Sequence, residues 1–418
     1  MYRFTRCKLL TLSTVLIALG IEGAAETPVQ AADTWSTPVL PPVGCGSFSG
    51  VQPNAVAVNA AGELALVGSF QTGTAFTVQI CTSEDGVHWS GPSTIGQGVQ
   101  PAVAIAPDGR IVVVWQWTSG VLSNTEASVR APGGSFSPPV VVSPNTGRPV
   151  VGMDGSGNAV AAWAHMNLSQ PVETASLPAG GRWTAVHTLA AQGGGVNLAV
   201  NSVGGAILTW RSAGLIAAAS GTIQAGFGPS VQVGKAYGAL SEQISPHVAL
   251  NDAGAAFLAW DSHDNNEVVS RTADGTWSAP TKLSGPTPSG IRIAVDGAGN
   301  AVAAFSETIA SGNPTYASVR PAGGSWGPPV LLSALTDTGH VSDVVGDGKG
   351  TFVVAWTSGT GVAPMVDALT IAPGGGLGPS TAVGSAPFMT VKIVPGHAVM
   401  WMGAGLYAGA GISTETVQ

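Results

Sequence analysis

Four polar side chains of different chemistry occupy the same position relative to a recurring turn. Asn197, His247, Arg292 and Asp343 each lie four residues before the first residue of an Asx-containing turn. They supply an amide, an imidazole, a guanidinium and a carboxylate, which together can donate to, accept from and neutralise a polar ligand. If the turns are structurally equivalent, these side chains share one level of the fold, and the sequence predicts a ligand-binding set there.

A second set of chemically capable residues follows the strand after each turn. Asp261, Asp264 and Glu307 are carboxylates from two successive repeats, and a facing pair of this kind can act as general acid and base on a glycosidic bond. Asp261, His263 and Asp264 also offer ligands to a cation, but three candidates in one loop predict no particular metal. The alternative is that these are ordinary solvated loop residues. The set is completed by two residues from earlier repeats: His165 and Trp117.

The elements that must position these residues form a repeat of about 47 residues. Each copy has an apolar strand, an Asx/Gly turn, a second apolar strand that ends in an aromatic residue, and a later glycine-rich turn. Clear copies are Pro101–Trp115, Pro149–Trp163, Pro246–Trp260 and Ile291–Phe305. Glycine accepts the positive φ of such turns, and Asx side chains bond their own backbone. A period of this length with four strands predicts the blades of a β-propeller.

An aromatic residue recurs six residues after the last glycine of the turn in most copies. These rings are predicted to form the core between neighbouring blades, and no cofactor site is predicted from them. The residues are Trp115, Trp163, Trp210, Trp260, Phe305 and Trp356.

We predict an all-β fold with a single propeller over residues 32–418, made of eight four-stranded blades; seven blades are the alternative. The last copy lacks a fourth strand, and residues 34–44 are predicted to supply it and to close the ring, which removes exposed sheet edges. The glycine run Gly193–Gly195 is assigned to a turn between blades. The blades are placed near residues 51–97, 99–145, 147–191, 194–236, 241–285, 288–335, 338–384 and 386–414.

In such a ring the polar side chains Asn197, His247, Arg292 and Asp343 would lie opposite apolar side chains at the equivalent positions of other copies. The equivalent positions in the first three copies are Ala55, Ala102 and Val150, and in the last copy, allowing one residue of shift, Thr390. An apolar crescent opposite a polar one resembles the lining of a small-ligand pocket. The alternative is a solvated channel mouth that an Arg292–Asp343 pair holds in place. Both lie at the end where the loops before the first strand and after the second strand of each blade converge, which we call the loop face.

The first 31 residues have the three parts of a secretion signal. A basic start precedes the apolar run LLTLSTVLIALG, and small residues precede a cleavage site before Ala32. The run is short for a membrane span, so we expect the mature chain to be soluble and secreted or periplasmic, with no membrane contact after cleavage. Cys45 and Cys81 then remain. A disulfide between them is left open, because their Cα atoms must come within about 7 Å.

The charge content narrows the class of partner. Charged residues make up 9% of the chain, the net charge is −8, and no basic stripe occurs. This excludes nucleic acid and anionic membranes as expected partners, because both require a positively charged surface. We expect a monomer whose partner is a glycan or an extracellular protein.

Two segments resemble the Asp-box of sialidase-type propellers. Ser83–Trp89 (SEDGVHW) is the closer match, and Thr272–Trp277 (TADGTW) is a weaker copy. In that family the box is a structural turn far from the active site, so the resemblance implies structural roles for Ser83, Asp85 and Trp89. The catalytic set of the family does not carry over, since the chain has no Arg-Ile-Pro segment and only four tyrosines. The resemblance therefore implies a sialidase-like propeller without sialidase activity.

The sequence favours an exported, non-catalytic recognition propeller that binds a glycan or another extracellular ligand at the loop face. The first alternative is a glycoside hydrolase or lyase that uses Asp261, Asp264 or Glu307. The second alternative is a structural or adhesive scaffold without a small ligand.

Overall fold

The computed structural model describes residues 56–85, 88–119, 122–144, 147–164, 170–236, 246–262, 264–272, 274–285, 287–348, 350–359, 365–372, 374–385, 388–394, 397–403 and 411–416. The chain divides into two compact units, Met1–Ala32 and Asp33–Gln418, and the described residues all belong to the second. The predicted signal 1–31, the predicted closing strand 34–44, Cys45, His165 and His263 lie outside the described residues, and what was predicted for them stays a prediction.

The described part of the chain is all-β and contains no helix. Accordingly, no helix long and apolar enough to cross a membrane is found within those ranges. The first two sheets contain β1 (Val56–Val58), β2 (Leu64–Thr72), β3 (Ala75–Ser83), β4 (Trp89–Gln97), β5 (Val99–Ile105), β6 (Ile111–Ser119), β7 (Leu122–Arg130) and β8 (Val140–Ser143). The next sheet contains β9 (Val150–Met153), β10 (Ala159–Trp163), β11 (Gln170–Leu177), β12 (His187–Val200), β13 (Gly205–Ser212), β14 (Leu215–Thr222), β15 (Gly226–Phe227) and β16 (Val231–Lys235).

The second half of the chain continues in the same way. Three further sheets contain β17 (His247–Leu250), β18 (Ala256–Ser262), β19 (Asn265–Arg271), β20 (Thr281–Lys282), β21 (Pro288–Val295), β22 (Ala301–Glu307), β23 (Thr315–Arg320), β24 (Val330–Leu331), β25 (Val341–Gly346), β26 (Phe352–Ser358), β27 (Met365–Ile371) and β28 (Thr381–Ser385). The last sheet contains β29 (Phe388–Val394), β30 (His397–Gly403) and β31 (Gly411–Thr416).

Most sheets are antiparallel and have four strands in chain order, which is the arrangement of a propeller blade. There are two exceptions: the last sheet, which has the three described strands β29–β31, and an eight-stranded sheet made of β9–β16. Its long strand β12 pairs with β11 through its first half and with β13 through its second half. It therefore ends one four-stranded group and begins the next.

The turn predicted at Gly193–Gly195 is wrong, because these residues lie within β12. A Cβ at Gly193 would lie 2.5 Å from Val172 Cγ2 and 2.6 Å from Trp210 Cδ1. The glycine therefore allows the backbone to approach the Trp210 ring closely, rather than to reverse direction.

The predicted aromatic core is confirmed by burial. Each of the six rings is at most 1% exposed. Trp115, for example, packs with Val67 and Ile80 of the preceding sheet, so its ring fills the space between two sheets. An indole of this size buries enough apolar area to stabilise the fold by about 1.5–3 kcal/mol.

The strand register repeats from sheet to sheet. The residue just before the buried aromatic always pairs with the predicted inner position, as in His247↔Ala259, Arg292↔Ala304 and Asp343↔Ala355. In the last sheet the same register selects Val391, which pairs with Met400. The assignment of Thr390 to this position is therefore wrong by one residue, because the shorter turn there shifts the alignment.

The turns between first and second strands are held by Asx side chains. In six of them the Asx Oδ1 accepts the N–H four residues later; for example, Asn251 Oδ1 accepts Ala255 N at 2.8 Å. Adjacent turns are then linked by one donor each. Asn201 Nδ2 donates to Asn251 O at 2.9 Å, and Asn251 Nδ2 donates to Asp296 O at 2.8 Å.

Where the turn begins with Asp, whose side chain has no N–H donor, the backbone N–H of the next residue forms the hydrogen bond to the adjacent turn. Gly155 N donates to Ser202 O at 2.9 Å, and Gly297 N donates to Gly348 O at 3.2 Å. Where it begins with Ala106, Arg110 Nη1 reaches Gly157 O at 3.0 Å. A chain of hydrogen bonds therefore links consecutive sheets at the end opposite the loop face.

The first strands of the four-stranded groups contact one another in chain order. The contacting pairs are β1 with β5, β5 with β9, β9 with β12, β12 with β17, β17 with β21, β21 with β25, β25 with β29, and β29 with β1. This order places residues that are far apart in sequence, such as His247, Arg292 and Asp343, on adjacent strands.

Candidate functional site

Arg292 is the centre of a polar cluster on three adjacent first strands. Its Nη1 lies 3.0 Å from His247 Nε2 on β17, and the same atom donates to Ile291 O at 2.9 Å. Its Nε donates to Ser342 O on β25 at 3.0 Å. The guanidinium therefore joins three strands, and its position is fixed by three hydrogen bonds.

The imidazole in this contact is neutral. An arginine N–H can only donate, so His247 Nε2 must accept and its proton lies on Nδ1. The pKa of His247 lies well below its ordinary value of 6.5, first because the ring is surrounded by protein and second because of the Arg292 charge. His247 nevertheless keeps some exposed surface, as do Arg292 and Asp343.

Two carboxyl groups flank the guanidinium. Asp343 follows Ser342, whose carbonyl binds Arg292, and Asp343 Oδ1 accepts Val344 N at 3.0 Å. Asp261, at the end of β18, accepts Gly290 N through Oδ2 at 3.0 Å, two residues before Arg292. Burial lowers the pKa of Arg292, and the charges of Asp343 and Asp261 oppose that change. The Arg292–Asp343 pair stays a prediction, and Asp261, which was predicted for a separate loop set, reaches the strand that carries Arg292.

The surroundings of Asp261 disfavour its ionised form. Burial raises its pKa, while the Gly290 N–H and the Arg292 charge act in the opposite direction. Its second oxygen, Oδ1, is buried and has no hydrogen-bond partner. Asn266 is its cross-strand partner on β19, is 0% exposed, and has neither an acceptor for Nδ2 nor a donor for Oδ1. Three buried polar atoms without hydrogen-bond partners, Asp261 Oδ1 and both amide atoms of Asn266, therefore lie beside the Arg292 cluster.

One N–H donor of the cluster, Arg292 Nη2, has no hydrogen-bond partner among the described residues. Arg292 Nη2 makes no hydrogen bond, and it is not among the buried unsatisfied atoms, so it retains access to solvent. A guanidinium whose Nε and Nη1 are fixed presents Nη2 in a defined direction. This atom can therefore donate to an acceptor on a ligand without rearrangement of the side chain.

The remaining predicted residues are spread more widely. Asn197 occupies the equivalent position on β12 and is partly exposed, and its carbonyl accepts Thr209 Oγ1 at 3.4 Å. Glu307 Oε1 accepts Gly285 N at 2.7 Å. Asp264 is exposed and lies in a cleft of about 530 Å³ with Lys235 and Lys282, away from the Arg292 hydrogen bonds.

Trp117 is half-buried and packs against the core between the first two sheets. Its sheet begins with β5, which is four steps from β21 in the order of contacting first strands, so the structure does not bring Trp117 to the Arg292 cluster. Within the described ranges, no group of three or more His, Cys, Asp or Glu side chains could hold a metal ion.

Two further residues near the cluster, Ser289 and His340, were not predicted from the sequence. Ser289 Oγ lies 3.0 Å from His340 Nδ1. Ser289 is partly exposed near the start of β21, and His340 is exposed directly before β25. Asn266 was also missed, because a polar residue in a strand gives no sign of which neighbouring sheet it faces. For His340 a signal existed, because it lies three residues before Asp343 in the sequence.

The two segments that resemble Asp-boxes form side-chain-capped turns. Asp85 Oδ1 accepts Ser83 Oγ at 3.3 Å and His88 N at 2.7 Å, and Asp85 Oδ2 lies 2.6 Å from His88 Nδ1. In the second segment Asp274 accepts the Thr272 hydroxyl and the Thr276 N–H. These bonds fix a turn and lie on the outer strands, far from the first strands that carry Arg292.

Cys81 on β3 is disulfide-bonded, and its partner lies outside the described residues. The pairing of Cys81 with Cys45 stays a prediction.

No protein-family model matches the chain, and no curated protein matches it. Among solved structures it is similar to the Dos1 propeller, with a TM-score of 0.56 and 11% identity over 92% of this chain and 95% of that one. This similarity shows the fold, a β-propeller. Weaker likenesses are to an ulvan lyase (TM-score 0.48, 10% identity, 93% and 94% covered) and to the fucose-recognising Aleuria aurantia lectin (TM-score 0.39, 13% identity, 79% and 95% covered).

Proposed function

We propose that this chain is an exported, eight-bladed recognition propeller that binds a glycan at the loop face through the Arg292 cluster. The blade count is supported by the four-stranded groups, with β12 shared between two of them, and by the unbroken order of contacts from β1 through β29 and back to β1. Seven blades would require two of these groups to be one. Residues 34–44 are proposed to complete the last sheet, which has three described strands.

Export and a degenerate sialidase-like ancestry belong to the same proposal. The basic, apolar and small-residue parts of residues 1–31 support cleavage before Ala32 and a secreted or periplasmic location. The Asp85 and Asp274 turns support the Asp-box interpretation, because each Asp accepts the bonds that close its turn. The disulfide at Cys81 supports an oxidising compartment.

The single observation that carries the binding function is the free Nη2 of Arg292 in a cluster that is otherwise hydrogen-bonded. Its side chain is held by Ser342 O, Ile291 O and His247, so binding a ligand there requires little loss of side-chain entropy. A preorganised N–H donor is suited to a hydroxyl group, whose oxygen can accept the hydrogen bond. Sugars present such hydroxyls in fixed arrays, and this favours a glycan.

A non-catalytic role fits the carboxyl groups. Cleavage of a glycosidic bond requires two carboxyl groups that face the bond, about 5–10 Å apart. Glu307 is engaged by Gly285 N, Asp261 holds Gly290 N, and Asp264 is exposed in a different cleft. These engagements support binding over hydrolysis.

A hydrolase or lyase remains the second candidate, because one observation favours it. The raised pKa of Asp261 is the property expected of a general acid. Release of reducing ends from any glycan bound by the protein, abolished in Asp261→Asn, would establish this candidate in place of the recognition module.

The test of the proposed function is a glycan-array screen of the mature protein beside Arg292→Ala and His247→Ala. Arg182→Ala is the matched control, because Arg182 is exposed and distant in sequence from the cluster. Selective binding that the first two changes abolish and Arg182→Ala preserves would support recognition at this site. Absence of binding to every glycan would overturn the proposal and favour the scaffold alternative.

A further inference from the structure

The charge around Arg292 restricts which sugars the site can accept. Two carboxyl groups lie near one guanidinium and act on it electrostatically. Asp261 holds the backbone N–H of Gly290, two residues before Arg292 on β21, and Asp343 is adjacent to the Ser342 carbonyl that binds Arg292 Nε. Both carboxylates act on the arginine, since their charges favour its protonated form. Part of the positive charge is therefore already offset within the protein.

His247 adds no second positive charge. Its Nε2 accepts from Arg292 Nη1 at 3.0 Å, a geometry that a protonated imidazole would oppose by presenting a proton to a cation. The contact set therefore contains one cation and two carboxyl groups. A site built to hold an anion would show the opposite excess, with several cations converging on one point.

A ligand carboxylate would meet repulsion at this site. To reach Arg292 Nη2 it would have to approach a guanidinium that Asp261 and Asp343 already flank. Like charges brought together in a partly desolvated interface oppose binding strongly. A hydroxyl group avoids this cost, because it accepts from Nη2 through its oxygen and donates its proton to a neighbouring acceptor.

We propose that the Arg292 cluster selects uncharged, hydroxyl-bearing sugars and rejects sugars that carry a carboxylate. The inference rests on the proposed function, since it specifies the ligand of the same site. Its structural basis is the flanking of a fixed guanidinium by Asp261 and Asp343 together with a neutral His247.

The test uses matched pairs of oligosaccharides that differ only by oxidation of a hydroxymethyl group to a carboxylate, such as glucose-based and glucuronate-based chains. Dissociation constants are measured at neutral pH for the wild type, Asp261→Asn, Asp343→Asn and the control Arg182→Ala. The melting temperature of each variant verifies that it is folded. We expect the wild type to bind the neutral member at least about tenfold more tightly than the acidic one.

The variants separate the charge effect from other causes of selectivity. Replacing either carboxylate by an amide removes a negative charge near the guanidinium, so Asp261→Asn and Asp343→Asn are each expected to tighten binding of the acidic member. Arg182→Ala is expected to leave the dissociation constants of both members unchanged. The inference is overturned if the wild type prefers the acidic or a cationic sugar, or if neither Asn variant improves acidic binding. Failure of the wild type to bind either member, or any glycan on the array, would instead overturn the proposed function.

Discussion

Trp163 and Glu173 form a buried hydrogen bond across one sheet. The indole Nε1 donates to Glu173 Oε2 at 2.9 Å, and the side chains are 1% and 5% exposed. The two residues pair directly in the β10–β11 register. The same register places an acidic residue opposite the tryptophan in three other sheets, as in Trp115↔Glu126, Trp260↔Glu267 and Trp356↔Asp367. In two of these sheets the indole donates instead to a backbone carbonyl: Trp115 Nε1 to Gln97 O at 2.9 Å and Trp260 Nε1 to Lys235 O at 3.1 Å. The bond from Trp163 to Glu173 is therefore the case in which the acidic partner of the repeat receives the indole N–H.

Trp210 provides the natural comparison for this bond. It is equally buried, but its cross-strand partner is Ala217 and its indole Nε1 has no hydrogen-bond partner. We expect Trp163→Phe to lower the free energy of unfolding by about 1.5–3 kcal/mol more than Trp210→Phe, because only the first change removes a donor from a buried carboxylate. Urea denaturation of the two variants measures the difference. Equal losses would show that the Glu173 bond contributes nothing beyond packing.

The turn that begins at Asn251 can be tested by exchanging its chemistry for that of another turn. Asn251→Asp keeps the acceptor for Ala255 N but loses the amide that donates to Asp296 O, so we expect a loss of about 1–2 kcal/mol. In the Asp154 turn, Asn158 Nδ2 satisfies the Asp154 carboxylate at 2.9 Å. Adding Ala255→Asn should therefore recover part of the loss. A double variant no more stable than Asn251→Asp would contradict this account of the turns.

The His247 imidazole predicts a pH dependence of stability. Its pKa is lowered in the folded protein relative to the ordinary value of 6.5, so the unfolded chain binds a proton more readily. The contribution is complete above pH 6.5 and is lost as the pH falls below 6.5 toward the folded pKa. We expect His247→Gln, which keeps an acceptor for Arg292, to flatten the fall in unfolding free energy between pH 7 and about pH 5.

The control for this titration is His187→Gln, because His187 is exposed. Chemical denaturation at each pH gives the two slopes. A slope that is reduced equally in both variants, or in neither, would exclude His247 as the source.

Asn266 offers a prediction of increased stability. Its amide is 0% exposed and lacks partners on both atoms, whereas its backbone N–H is satisfied by Ser284 Oγ at 2.6 Å. Asn266→Leu removes the cost of burying the amide and keeps the backbone bond, so we expect a gain of about 1 kcal/mol. The neighbouring Asn265 is also buried, but its Nδ2 donates to Ser262 Oγ at 3.2 Å. Asn265→Leu should therefore destabilise, and thermal unfolding of both variants distinguishes the two cases.

The repeat, the buried rings and the adjacency of His247, Arg292 and Asp343 could be predicted from the sequence alone. Turn glycines, Asx residues and alternating apolar residues are local signals, and their constant spacing from the inner position determines which side chains share a level of the fold. The shift from Thr390 to Val391 shows the limit of this argument, since one shortened turn changes the alignment by a residue.

The tertiary structure decided the contacts that depend on how neighbouring sheets pack. Asp261 reaches Gly290 because β18 lies against β21. The spacing of residues within one repeat does not predict how close residues of two different repeats come. The lack of partners at Asn266 and the continuous passage of β12 through Gly193, close to Val172 and Trp210, are likewise visible only in the folded structure. Sequence periodicity fixes the direction of a side chain relative to its own strand, whereas its hydrogen-bond partners and its charge state are set by residues that only folding brings near.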